Sequence, residues 1–278
     1  IRVAAIGGAR DPRSDEPRRR GASGREPDAR RFAAAADGAV RFLTAVVLLL
    51  AAPGVALELW RSGWALSAAP SFPFLAGGLA AGFLLEVLFL RRCWPTFEIF
   101  EHELTHALFA LLCLRLVTGF VVRRSGGEVR YRGRFGGKAA DDLIGLAPYV
   151  APTFTLIGAL LRPLFPPGWF PWCDAALGAT LGYHVGSALH ETRVAWTKRR
   201  FASAGSGEAT RSDVGKRGYV FSFVFIAVVG AALHGLLFDL LASGPRGALA
   251  WASHVWTDGQ PPLRAAWAAV AEFSGRLF

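Results

Sequence analysis

Trp94-Pro95-Thr96-Phe97-Glu98-Ile99-Phe100-Glu101-His102-Glu103-Leu104-Thr105-His106-Ala107-Leu108-Phe109-Ala110-Leu111-Leu112 opens an otherwise apolar run, 94–118, with five ionisable side chains. About 20 apolar residues suffice for a helix to cross roughly 30 Å of hydrocarbon. Ionisable groups at such depth are costly and mark functional positions. Five more stretches have the length and apolarity of a span: 39–60, 72–90, 142–165, 169–196 and 218–242. The fifth of the six, 169–196, again carries ionisable groups, namely His184, His190 and Glu191. The chain as a whole is 53% hydrophobic and 19% charged, with a mean hydropathy of +0.34, which excludes a disordered chain or an ordinary soluble domain. The expected fold is an all-α polytopic membrane protein with about six transmembrane helices.

Lys and Arg number 31 against 21 Asp and Glu, a net charge of +10. These cations gather in the N-terminal tail and between apolar runs, without the aromatic interleaving of a nucleic-acid binder, so the lipid bilayer is expected as the partner and nucleic acid is not. The 119–141 and 193–217 connections, with six and seven Lys/Arg, are expected on the cytoplasmic side and the uncharged Phe165–Trp169 connection outside. Residues 1–38, rich in Arg, Gly, Pro and acid, read as a disordered basic tail. Residues 39–242 form the membrane domain, with its core at about 94–242, and 243–278, with Trp251, Trp256 and Trp267, read as an amphipathic interfacial segment. After the third span, Phe120–Arg124 and Glu128–Arg132 alternate on either side of Gly126-Gly127 and predict a small β-hairpin turning at those glycines.

Glu101-His102-Glu103-Leu104-Thr105-His106 contains HExxH in a helical setting. An i, i+4 spacing puts His102 and His106 on one face, one turn apart, where both imidazoles can reach one Zn²⁺, with Glu103 beside them as general base. The three cysteines, Cys93, Cys113 and Cys173, are too scattered to build a metal site. Pro148 and Pro152 should kink the fourth span and free backbone carbonyls.

In HELTH and the Gly-rich basic hairpin that follows it, the chain resembles the site-2 protease family of intramembrane zinc metallopeptidases, over roughly residues 94–196. The resemblance implies a zinc endopeptidase acting on a membrane-embedded or membrane-proximal protein or peptide, and a multi-pass location in a bacterial-type cell membrane. The family's third ligand is an Asp in an Asp-Gly pair on a core helix, and Asp258-Gly259 here lies in the wrong segment, as does Asp37-Gly38 near the N-terminal tail. Counting 1.5 Å per residue, His184 falls near the depth of His102 and His106 and takes the place of that Asp. Asp213 is the alternative third ligand, although its place ahead of a helix also suits a cap. Glu191 is the corresponding candidate if the site follows the other membrane zincins, whose third ligand is a Glu. The competing function is a non-catalytic membrane protein that keeps the fold to bind metal or a partner helix.

Overall fold

The computed structural model describes residues 25–201 and 212–275. It is all-α with one two-stranded sheet: α1 (Arg25–Ser67), α2 (Phe72–Cys93), α3 (Pro95–Leu112), β1 (Leu116–Arg123), β2 (Gly126–Arg132), α4 (Gly137–Val150), α5 (Thr153–Leu161), α6 (Phe170–Phe201), α7 (Asp213–Arg217) and α8 (Tyr219–Gly275). Contacts divide the chain into Ile1–Leu43, whose described part is helical, and Thr44–Phe278, which holds every other element. Of the expected tail, residues 1–24 lie outside the described residues and 25–38 belong to α1.

The distribution of side chains is that of a membrane protein. Leu49, Trp60, Leu88, Phe89, Leu160, Trp172 and Val220 face outward, while Glu58, Glu86, Glu101, Thr105, His184 and Ser222 are buried. In water that arrangement would forfeit the hydrophobic drive, whereas in lipid the polar groups are the ones to hide. Six spans are nevertheless too many. Among the described residues three helices are long and apolar enough to cross, Ala34–Ser67, Phe72–Cys93 and Tyr219–Asp258, and a fourth crossing exists if α4 and the segment Thr153–Leu164, bent by 81°, count as one. The expected third and fifth spans are helices, α3 and α6, but their acids and histidines take them below the apolarity of a span. The bend falls at Ala151-Pro152, where Ala151 is extended and proline cannot continue the ladder of α4.

Close packing of small residues sets the frame. A Cβ on Gly78 or Gly82 of α2 would lie 2.0 or 1.9 Å from the carbonyl oxygens of Ala175 and Ala179, and one on Gly178 or Gly182 of α6 would lie 2.0 Å from those of Leu75 and Leu79. Glycines four apart on both helices thus let the two backbones touch. Gly186, one turn further along α6, makes room for the buried Glu86, which stands at the start of a π-turn (Glu86–Leu90) in α2. Helix α8 breaks at Gly244 (φ 70°). The Trp251 indole then packs over Gly235, so the 245–275 half folds back on the first.

At the end of α3, Leu114 takes a left-handed conformation (φ 53°) and Arg115 N–H donates to Ala110 O at 2.8 Å, which closes the helix and turns the chain into β1. Arg115 is buried and ties the base of the hairpin to α4, donating to the Asp141 carboxylate and to the Phe135 and Gly137 carbonyls. The hairpin turns two residues earlier than expected. Arg123 pairs with Gly126 and Val122 with Gly127, leaving Arg124-Ser125 as the turn and both glycines inside β2.

Candidate metal centre

Helix α3 presents His102 and His106 on one face, their Nε2 atoms 3.1 Å apart. Asp213, the first residue of α7, brings Oδ2 to 3.7 Å from His102 Nε2 and 3.5 Å from His106 Nε2. These three ligand atoms form the one group of three or more metal-binding side chains within 4.8 Å of one another among the described residues. A tetrahedral ion with bonds of about 2.1 Å sets its ligands about 3.4 Å apart, and the three observed separations bracket that value.

The partners behind the rings strengthen the case for a cation. Both oxygens of Glu191, on α6, lie 3.0 Å from His102 Nδ1. His106 Nδ1 lies 2.7 Å from the Ile144 carbonyl on α4. A carbonyl only accepts, so His106 carries its proton on Nδ1, and the Glu191 carboxylate draws the His102 proton to Nδ1 in the same way. With both rings neutral, the two Nε2 lone pairs face each other and a carboxylate oxygen. A proton or a metal ion at the centre relieves that repulsion, and imidazoles backed by a carboxylate and a carbonyl are arranged as metal-ligating histidines are.

Asp213 is placed by its own short helix. Ser212 caps α7 by accepting from Gly215 N–H at 3.1 Å, and Val214 is fully buried. Arg217 then crosses α4 directly over Gly145, where a Cβ would lie 1.7 Å from its guanidinium, and donates to the Asp141 and Asp213 carbonyls at 2.8 and 3.0 Å while pairing with Asp142 at 3.3 Å. Lys216 Nζ takes the second Asp213 oxygen at 3.1 Å, leaving Oδ2 to face the imidazoles. Burial works to raise the Asp213 carboxyl, but the imidazoles when protonated and then Lys216 hold it well below the usual carboxylate range.

Glu103 is buried beneath the hairpin. A Cβ at Gly127 would fall 2.3 Å from Glu103 Cγ, so the strand passes over this carboxylate because residue 127 has no side chain. A cleft of about 480 Å³ opens beside it, with Pro95, Ile99, Tyr149 and Val194 as apolar walls and Glu98, His102, Glu103, Glu191 and Asp213 as polar ones. Thr105, inside the motif, anchors α3 to α5 through a 2.6 Å hydroxyl contact with Thr153.

His184 is not brought to this cluster. It is buried with its ring 5.9 Å from that of His234 on α8, and Nε2 of each has no hydrogen-bond partner among the described residues. The residue of α6 level with His102 is Glu191, seven residues or about 10.5 Å further along. Counting depth from Trp169 misplaces the level because α6, at 32 residues, is far longer than α3, at 18, and the two do not start together. Glu191 in turn meets Nδ1 of His102, on the side of the ring away from Asp213, and so backs the ligand. The signals for Glu191 and Ile144 were slight: an acid on a helix, and a proline four residues after a carbonyl. No family model, no curated protein and no solved structure matches the chain.

Proposed function

We propose that the protein is an intramembrane zinc-dependent endopeptidase, similar in its chemistry to site-2 proteases, that cleaves a membrane-embedded or membrane-proximal protein. The observation that carries the reading is the convergence of two imidazole Nε2 atoms and one carboxylate oxygen beside the HExxH glutamate. Three protein ligands of the set His, His and carboxylate leave a tetrahedral position open, as a hydrolytic zinc requires. A bound Zn²⁺ would supply Lewis acidity, lowering the pKa of a water from about 16 toward about 7 and polarising a carbonyl.

The remaining work falls to the chain. His102, His106 and Asp213 would hold the ion, and Glu191 and Ile144 hold the two rings. The Glu103 carboxylate accepts a proton from the hydrolytic water and returns it to the leaving amine. The apolar walls of the cleft, with Tyr149 edge-on to His102 at 5.8 Å, favour an unwound apolar segment of substrate and limit bulk water. We place the enzyme as a multi-pass protein of a bacterial-type cell membrane.

The test is Glu103→Gln in detergent-purified protein, with zinc measured by mass spectrometry and cleavage by release from a quenched transmembrane peptide. Near one zinc per chain with turnover down at least about 10²-fold is expected. Full turnover in this variant would remove Glu103 as the base. Zinc retained without turnover in either form would favour a protein that binds metal without hydrolysing peptides.

A further inference from the structure

Helix α4 carries Pro148 in its interior, and the carbonyl that an ordinary residue 148 would bond is that of Ile144. Proline has no N–H to offer, and its ring pushes the i−4 carbonyl away from the helix axis. That carbonyl, on a residue 1% exposed, is the one that takes His106 Nδ1 at 2.7 Å. An orphaned backbone acceptor in a buried setting needs a donor, and a metal-ligating imidazole needs an acceptor behind it. One missing hydrogen bond in α4 answers both needs.

We infer that Pro148 is a positioning residue of the metal centre: by releasing the Ile144 carbonyl from the helix it fixes His106 in the Nδ1–H tautomer, with Nε2 free for the ion. The inference rests on the metalloprotease reading only for its zinc readout. Pro152 serves as an internal control. It lies four residues on, also interrupts the backbone ladder, and caps the start of α5, but the carbonyl it leaves free is that of Pro148 itself, which the site does not use. A proline needed only to bend this segment would show its effect at Pro152 as much as at Pro148.

The two rings are held by different means. His102 leans on the Glu191 side chain, which a substitution can remove, whereas His106 leans on a main-chain atom that no substitution at position 144 deletes. Residue 148 is therefore the place in the sequence where the His106 support can be withdrawn. In Pro148→Ala the new N–H at 148 draws the Ile144 carbonyl back along the axis, and His106 loses sole use of it.

The experiment combines two readouts on the full-length protein in detergent. Zinc affinity, by competition with a chromophoric chelator, should fall about 10- to 100-fold in Pro148→Ala and stay within about twofold in Pro152→Ala. Unchanged affinity in a Pro148→Ala protein that melts as the wild type does would overturn the inference. Should Pro148→Ala fail to fold, the wild type decides alone: with ¹⁵N-labelled histidine, the zinc-free protein should show His106 protonated at Nδ1, and protonation at Nε2 would overturn the inference. This second measurement holds even if the wild type binds no zinc, a result that would refute the metalloprotease reading instead.

Discussion

Gly145→Ala adds a single methyl group far from any ligand atom in sequence, yet it should open the metal centre. The new Cβ would stand 1.7 Å from Nη2 and 2.0 Å from Cζ of Arg217, so the guanidinium must leave its track across α4. It cannot leave without giving up its bonds to the Asp141 and Asp213 carbonyls, at 2.8 and 3.0 Å, and its pairing with Asp142. Two charge-assisted bonds at about 1.5 kcal/mol each amount to about 3 kcal/mol. That energy docks α7 and holds Asp213 opposite the imidazoles, so on the proposed zinc reading its loss should weaken metal binding by about 10²-fold. Chelator competition measures this directly, and a double-mutant cycle locates the cause. Arg217→Ala should weaken zinc to a similar extent, and Gly145→Ala should add little on top of it, because both remove one interaction. Zinc affinity within threefold of wild type in Gly145→Ala, or full additivity of the two substitutions, would show that Arg217 does not place Asp213.

Two further pairs of substitutions probe other parts of the frame. Asp213→Ala should remove most bound zinc, whereas His184→Ala should leave the metal content near one per chain, as read by mass spectrometry; the opposite result would assign the third ligand to α6. Gly182→Ala puts a methyl 2.0 Å from the Leu79 carbonyl and should destabilise the protein by at least about 2 kcal/mol, seen as a lower thermal midpoint, since two backbones must part. Gly77→Ala, with nothing within 4 Å of the added atom, is the control that should melt unchanged.

How far the residues alone reveal the structure depends on which property each one reports. Helical spacing placed His102 and His106 side by side, because a regular helix turns sequence separation directly into distance. The hairpin was legible from alternation and glycine, but its turn was not: Gly126 and Gly127 read as turn residues, whereas Gly127 is small so that β2 can pass over Glu103. Span counting failed for α3 and α6 because it equates a long apolar helix with a crossing, and these two carry the acids and histidines of the site. The choice between His184 and Asp213 needed the relative start of two helices, which no local pattern encodes. The close approach of α2 and α6 was written in the four-residue spacing of Gly78, Gly82, Gly178, Gly182 and Gly186, a signal that hydropathy alone passes over. Ile144 acts through a main-chain atom common to every residue, and Pro148 was the trace it left.

The ligand atoms come from α3 and α7, separated by about a hundred residues that include the hairpin, α4, α5 and α6. On the proposed reading an ion at this point is a cross-link as well as a reagent, because it closes a very long loop whose free ends would otherwise wander. Its removal would act first on the stretch that enters α8, since α7 is five residues long and cannot stand as a helix by itself. On that reading metal loading and the seating of that stretch would be a single event, and the ion that equips the site for hydrolysis would also assemble it.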